Sequence, residues 1–430
     1  MKNKKQNKLE WRRLDNSAKI FPISSGKKYS TVFRLSAILK EQVDPKILTK
    51  AVKQALEIYP YFKVRMKMGF FWYYLEYNPK EPIIEIEKDY PCKYINPKTN
   101  NNYLFKVTYF ERKINIDIYH SLTDGNSGTI FFKEIIYSYL ELKHEKELKE
   151  EKRTPRKIEY DDEDSYIKNY DKKAKSNASG KKAYIIKGKK MGLGIIAATH
   201  EIIPIKQLKE ICKQKNVTIT QYLTAVLIYS INKQDTNLKT GKKEKPIKVC
   251  IPVNLKKYFP SKTMSNFFSY ITVEAYIKKD NLKTFDDILN FVKKDFEKRL
   301  TPEEINKTMS TNVKLGTNIF IKAIPLILKN TLVRLSYIEI RKYTTTTFSN
   351  IGRMGIIGKY KDYIESFWML IAPEPVEKIK CSACSFEDNI VFTFTSIMQN
   401  AKIERTFYEF LKGQGINVKI ESNGVLNVIS

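Results

Sequence analysis

Histidine is scarce in this chain, so its placement is informative: His120, His144 and His200 are the three that occur in 430 residues. His120 closes an alternating apolar run and is followed after three residues by Asp124 and Gly125, in Ile118-Tyr119-His120-Ser121-Leu122-Thr123-Asp124-Gly125. An imidazole titrates near neutrality and can take a proton from a hydroxyl or an amine, provided its backbone is held in place. Asp124 can anchor the loop and Gly125 can permit a tight turn, which together supply that hold. The plainer account is a core histidine at a strand end with an ordinary turn behind it. For a bare histidine at a strand end that account usually wins; the setting, with a strand leading into the motif and an amphipathic helix leading out, raises the general-base reading beside it.

Other groups of chemistry-bearing residues carry less. Cys381 and Cys384 have the spacing of half a zinc site, but no second such pair or nearby histidine completes four ligands, so two strand residues and no metal are expected. Thr218 and Thr220 precede an apolar helix and suit capping. Gly352 and Gly355 are not followed by the Lys-Ser or Lys-Thr of a phosphate loop.

The elements around the motif alternate in period. Thr31 to Leu39 reads as a strand, and Asp44-Pro45 opens a helix with Ile47, Leu48, Val52, Ala55 and Leu56 on one stripe. Strands come next at Phe62 to Met66, Phe70 to Tyr77, Tyr103 to Phe110 and Ile114 to Tyr119, then a helix with Ile130, Phe131, Ile135, Ile136, Tyr139 and Leu140 on one face. From about Glu141 to Lys190 the chain turns to Lys, Glu, Asp and Ser, a composition that buries too little apolar surface to offset its ordering entropy. Beyond it, strands at Ile195 to Ile203, Ile247 to Val253 and Ser269 to Ile277 are interleaved with helices at Lys206 to Lys215 and Thr220 to Asn232. Helices are expected at Phe285 to Arg299, Pro302 to Leu315 and Ile319 to Leu335, the last as core or the wall of an acyl tunnel. Strands at Thr344 to Phe348, Phe367 to Ile371, Ile379 to Phe386 and Asn389 to Ser396, a helix at Ile403 to Leu411 and a strand near Val418 close the chain. The expected division is a first lobe at 1–145, a charged mobile linker at 146–190 and a second lobe at 191–430.

Composition fits a packed protein of two lobes, each able to bury its own core: 42% of residues are hydrophobic and 12% aromatic. The net charge of +30 suggests nucleic acid, an anionic membrane or acidic ligands as partners. Lysine greatly outnumbers arginine, whereas base-edge reading favours the guanidinium fork, and no nucleic-acid module is present, so specific nucleic-acid binding is not expected. The five cysteines are odd in number and scattered, and the opening residues lack the apolar stretch of a signal peptide, so a reducing cytoplasm is the expected compartment. No run reaches the roughly 20 apolar residues that span a bilayer.

Four segments, in order, carry a family resemblance. They are Arg13-Leu14-Asp15 with Ile58-Tyr59-Pro60-Tyr61-Phe62; the His120 motif; Ile251 to Phe259 with Ser265-Asn266-Phe267; and Phe348-Ser349-Asn350-Ile351-Gly352-Arg353. Together they resemble the superfamily of chloramphenicol acetyltransferase and nonribosomal-peptide condensation domains, most closely its alcohol acetyltransferase and polyketide-associated branch. Tyr119 stands where the family has a first histidine, and Lys256 where an arginine is common.

The resemblance implies a mixed α/β fold of two chloramphenicol-acetyltransferase-like lobes around a central channel. It implies direct acyl transfer from an acyl-CoA co-substrate to a small alcohol or amine, with His120 as base, Asp124 holding the loop and no permanent cofactor. Ser349, Asn350 and Asn266 become candidates for the oxyanion or the channel, and Lys256 or Arg353 for an ion pair with Asp124. A monomer is expected. Two alternatives stay open: an acyl donor on an acyl carrier protein, and a non-catalytic basic protein for nucleic acid or membrane surfaces.

Overall fold

The structure is a computed structural model that describes residues 11–26, 30–151, 153, 164–174, 180–234, 244–318 and 323–426. In chain order the strands are β1 (Trp11–Arg13), β2 (Val32–Leu39), β3 (Val64–Met68), β4 (Tyr73–Tyr77), β5 (Ile84–Ile86), β6 (Phe105–Phe110), β7 (Lys113–Tyr119), β8 (Ala197–Pro204), β9 (Ile247–Asn254), β10 (Phe268–Ala275), β11 (Thr346–Arg353), β12 (Ile364–Ile371), β13 (Ile379–Phe386), β14 (Asn389–Ser396) and β15 (Lys419–Ser422). The helices are α1 (Phe21–Ser24), α2 (Pro45–Ile58), α3 (Gly125–Lys143), α4 (Ser165–Asn169), α5 (Ile205–Gln214), α6 (Ile219–Gln234), α7 (Phe285–Arg299), α8 (Pro302–Thr317), α9 (Leu326–Ile340) and α10 (Lys402–Gly413).

Two large mixed sheets organise the molecule. One runs β12-β2-β7-β6-β5 and the other β10-β9-β11-β13-β14-β8-β15, with a small third sheet β1-β4-β3. In β7 the alternation of Ile114, Ile116 and Ile118 with Asn115 and Asp117 gives each face its own task. The isoleucines enter a core shared with α2 and α3. On the other face Asn115 accepts from Ser36 at 2.7 Å, and Arg34 grips Asp117 through two bonds of 2.9 and 2.6 Å. Helix α2 starts where the sequence places it, because the Asp44 carboxylate accepts from the Lys46 and Ile47 amides and Pro45 sits in the first turn.

Strand β12 decides how the halves join. By sequence it lies deep in the 191–430 stretch, yet it pairs antiparallel with β2, Phe367 opposite Ala37. Its other neighbours are β13 and β14, which it reaches through side-chain bonds from Ser382 to the Met369 carbonyl (2.5 Å) and from Thr395 to that of Ile371 (2.6 Å). The second half thus completes the first half's sheet. Cys381 and Cys384, three residues apart on β13, consequently point into the two different cores, both buried.

Two expectations are corrected. In the charged stretch at 146–190, the described residues include Tyr166, Tyr184 and Ile186, all buried in the second core, and Tyr166 donates to the Phe268 carbonyl at 2.8 Å. Sparse apolar residues such as these anchor the described parts of this stretch by entering the core, while Ile167 stays exposed; residues 152, 154–163 and 175–179 lie outside the described set. The helix expected at Ile319 to Leu335 spans Leu326–Ile340, with 319–322 outside the described set. Of the two roles expected for it, core fails, since Ile327 is 75% exposed and Leu328, Leu332 and Leu335 are exposed beside it, while its Tyr337 lies on the wall of the cavity described below. Among the described residues no helix is long and apolar enough to cross a membrane.

One buried pair makes stability depend on pH. Glu201 of β8 and Glu404 of α10 are both fully buried, and burial pushes Glu404 up to about 7 and Glu201 well above its usual range. In the unfolded chain both ionise near the usual 4.5. Between that value and about 7 the native state therefore holds protons the unfolded state has lost, and stability falls as pH rises. Glu404→Gln should flatten that slope and stabilise the protein by roughly 1–3 kcal/mol at neutral pH. Urea unfolding at pH 5 and pH 8 measures it, and an unchanged slope would remove Glu404 as the cause.

Candidate active site

His120 sits one residue beyond β7, its amide donating to the Thr31 carbonyl at 3.0 Å. The ring is clamped by aromatic side chains. Phe21 of α1 stacks on it at 4.6 Å between centroids, Phe33 meets it edge-on at 5.4 Å and Phe268 tilts against it at 5.3 Å. Strand β7 comes from one half of the chain and β10 from the other, so both halves hold this imidazole.

The hydrogen bonds assign the tautomer. His120 Nδ1 lies 2.9 Å from Asn266 Oδ1. The amide of Asn266 cannot be turned round, because its Nδ2 donates to the Asp15 carboxylate and to the His120 carbonyl, each at 3.0 Å. Asn266 therefore presents its oxygen, and an oxygen can only accept. Nδ1 must carry the proton, which leaves the lone pair on Nε2. Burial lowers the His120 pKa, against a partial rise from the Asn266 bond and the Asp124 charge, so the imidazole is neutral near pH 7.

Asp15 completes this array. It is buried, and it accepts from Asn266 through both the backbone amide (3.1 Å) and the side chain, and from Ser17 Oγ and the Ala18 amide at 2.8 Å each. Burial raises its pKa while those bonds lower it. The family resemblance includes Asp15 among its matching segments without giving it a task. A local signal exists in Asp15-x-Ser17-Ala18, where an aspartate can cap the turn immediately after it.

Asp124 does hold the loop, and it also ties the two halves together. Its Oδ1 caps α3 by accepting from the Ser127 amide at 2.9 Å, and its Oδ2 accepts from the Phe267 amide across the interface at 3.0 Å. Thr123 adds a bond to the Met264 carbonyl at 2.6 Å. The expected ion pair with Asp124 is not formed by either candidate. Lys256 Nζ reaches Ser127 Oγ at 2.9 Å instead, while Arg353 is 72% exposed on its side chain and 3.7 Å from Glu387. Two backbone amides bond the Asp124 carboxylate directly, and Lys256 meets it only through the longer-range attraction of its charge.

Glycine acts differently from expectation. Gly125 is the first residue of α3 and has no positive φ. Its missing side chain keeps space open, since a Cβ there would come 3.4 Å from Ile351 and 3.6 Å from Met369 at the cavity wall. Gly128 permits close packing: a Cβ would sit 2.9 Å from Ile118 and 3.1 Å from Phe33, the ring that meets His120.

A cavity of about 620 Å³ opens at His120 between the two halves. Its wall includes Phe21, Val32 and Asn126 from the first half and Tyr258, Phe268 and Ser349 from the second. On β11 the two-residue period turns Thr347 and Ser349 to the cavity while Phe348 enters the core. Asn350 lies on the wall but is committed, donating to Thr220 Oγ1 at 3.1 Å and accepting from the Gly352 amide at 2.9 Å. Asn266, an oxyanion candidate by sequence, instead orients the His120 ring: it is buried, lies off the cavity wall, and its amide donors are spent on Asp15 and His120. Far from the histidine the wall carries Lys380, Glu374, Glu377 and Arg341, where Lys380 pairs with Glu374 at 2.5 Å and Arg341 with the same carboxylate, so this end is polar but balanced in charge.

The other two histidines are structural. His200 is stacked on Trp368 at 4.0 Å, bonded to Thr393 and lowered to about 3 by burial, and His144 pairs with Glu41 at 2.5 Å. Among the described residues no group of three or more His, Cys, Asp or Glu could hold a metal ion.

Comparison with known proteins agrees with the architecture. Residues 195–353 match the model of the alcohol acetyltransferase family, a stretch that contains the Ile251 and Phe348 segments but not His120. No curated protein matches the chain. Among solved structures, TRI101 of F. sporotrichioides complexed with coenzyme A and T-2 superposes with a TM-score of 0.64 at 11% identity, covering 95% of this chain and 99% of that one. Polyketide synthase associated protein 5 from Mycobacterium tuberculosis gives 0.57 at 12% identity, over 93% and 96%. The first condensation domain of the CDA synthetase gives 0.59 at 10% identity, over 94% and 95%. The fold is thus the two-lobed fold of chloramphenicol-acetyltransferase-like and condensation proteins.

Proposed function

We propose, from a condensation-type fold with an alcohol acetyltransferase match over residues 195–353, that this protein transfers an acyl group from acyl-CoA to a hydroxyl or amine. The observation that carries the proposal is the fixed tautomer of His120, a neutral imidazole whose free lone pair is on Nε2 in a ring that lines a cavity large enough for both substrates to meet. Nε2 takes the proton of the acceptor as its oxygen or nitrogen bonds to the thioester carbonyl carbon. The carbonyl π electrons move onto oxygen. As the tetrahedral species collapses, the C–S bond breaks and the leaving sulfur takes the proton from Nε2, releasing free thiol and regenerating the base.

Two other residues have assigned tasks. Ser349 Oγ supports the developing oxyanion from the second half, being a cavity-facing hydroxyl on the rigid β11. Asp124 positions the loop and exchanges no proton. Coenzyme A is proposed as co-substrate because TRI101, which shares this fold, is described in complex with it. The likeness to a condensation domain supports one alternative donor, an acyl group on a carrier protein.

The test is release of free thiol from a panel of acyl-CoA donors and from a loaded acyl carrier protein, each with pooled alcohols and amines. Turnover with coenzyme A thioesters is expected. Turnover with the carrier alone would move the donor to the alternative, and none with either would leave a basic binding protein.

The pH profile offers a second check. The reaction needs neutral His120, so kcat/KM should be full above its lowered pKa and fall as pH drops through it. The acid limb is expected below the ordinary histidine value of about 6.5. A limb at or above that value would mean that burial does not govern the base.

A further inference from the structure

Single apolar side chains on a surface are ordinary, but a contiguous set marks a place where something docks. The turn between β3 and β4 and helix α9 form such a set. Phe70 is 71% exposed and Met68 64%, with Phe71 alongside; on α9, Leu328, Leu332 and Leu335 make one stripe at four- and three-residue spacing, flanked by Ile327. The turn is tied to the start of the helix. The Leu326 amide donates to the Phe70 carbonyl at 2.9 Å, Lys329 Nζ to the Phe71 carbonyl at 3.1 Å, and Asn330 to Tyr73 Oη at 3.1 Å.

Charge selects the occupant. The carboxylate on α9, Glu339, is flanked by Lys182 at 2.7 Å and Lys342 at 2.6 Å, while Arg334 is exposed on the same helix. Lys19 lies over the Trp72 ring beside the turn, and the whole chain carries +30. An apolar stripe with exposed aromatics and a basic border suits the headgroup boundary of an anionic bilayer, where leucine and phenylalanine enter and lysine and arginine stay with the phosphates.

We propose that the β3–β4 turn and α9 seat this protein on an anionic lipid surface. The same helix carries Tyr337 to the cavity wall on the side away from the leucine stripe, and Arg341 just past its end lies there too, so the helix that bears the docked face also borders the cavity. α9 also packs on α1, whose Phe21 stacks on His120. On the acyltransferase reading, which this last step rests on, the favoured substrate is an apolar one dissolved in the bilayer.

The experiment is co-sedimentation of the full chain with phosphatidylcholine vesicles, with and without phosphatidylglycerol, for wild type and the exposed double variant Leu332→Glu, Leu335→Glu. Wild type should bind the anionic vesicles, and the variant should bind at least about tenfold more weakly with an unchanged melting midpoint and unchanged thiol release from soluble substrates. No wild-type binding, or equal binding by the variant, overturns the proposal, the second because charge alone would then account for it. A wild-type dimer that the variant dissolves also overturns it, by assigning the face to a second copy. Vesicle binding without thiol release would sink the acyltransferase reading and leave the docking intact.

Discussion

His120→Ala should lower turnover by about a hundredfold to ten-thousandfold while leaving the melting midpoint close to that of wild type. The loss is in the chemical step, because among the described residues no second histidine lies on the cavity wall. Tyr61 is pushed up to about 12 by burial and bonds to the Leu122 carbonyl, and His200 sits in the β8–β12 region stacked on Trp368. Burst and steady-state thiol release, with circular dichroism to confirm folding, separate a lost base from a lost fold. Residual turnover within a few-fold of wild type would falsify His120 as the base and shift attention to substrate positioning alone.

Asn266→Ala is the second large effect, on the order of a hundredfold in kcat with little change in KM, since Asn266 is off the cavity wall. Removing one carboxamide acts in three ways. Nδ1 loses the acceptor that keeps the proton there, so the ring can populate the tautomer that presents an N–H to the acceptor. The ring also loses a contact that raises its pKa, so the acid limb should move further down. The fold is retained, because the backbone amide of residue 266 still donates to Asp15 at 3.1 Å. A merely structural asparagine would lower the melting midpoint and leave the acid limb unmoved, and that result would reject the orienting role.

The two predictions together test the array from Asp15 through Asn266 to His120, with Asp15 at one end of the chain order and Asn266 far beyond the motif. Asp15 acts by fixing which end of the carboxamide faces the ring. Its effect on catalysis is therefore indirect, and Asp15→Asn should reproduce part of the Asn266→Ala loss by letting the amide reverse.

Local chemistry makes much of this protein legible in its sequence. The alternation in Ile114 to Ile118, the Asp44-Pro45 helix start and the boundaries of Phe285–Arg299, Ile379–Phe386 and Asn389–Ser396 all come from side-chain period and capping, which act over a few residues. The same short range singles out His120, because a histidine between a strand and a helix start is visible without the rest of the fold. Short β1 and β5 are not legible, as three residues carry too little period to detect.

Relations between distant segments were decided by the tertiary structure alone. Pairing of β12 with β2 joins residues more than three hundred apart, and nothing local to Ile364–Ile371 encodes its partner. The partner of the His120 ring is likewise set by how β10 approaches β7, which turned Asn266 from an oxyanion candidate into the residue that fixes the tautomer and left Lys256 on Ser127. Helix α9 shows the limit most clearly: its composition reads as core, but burial depends on whether another element is present to cover it, and among the described residues none covers Ile327, Leu328, Leu332 and Leu335. Sequence determined the longer elements and which histidine stands between a strand and a helix start, because period and capping are local; only the assembled fold determined which side chains meet and which stay open, because those depend on long-range packing.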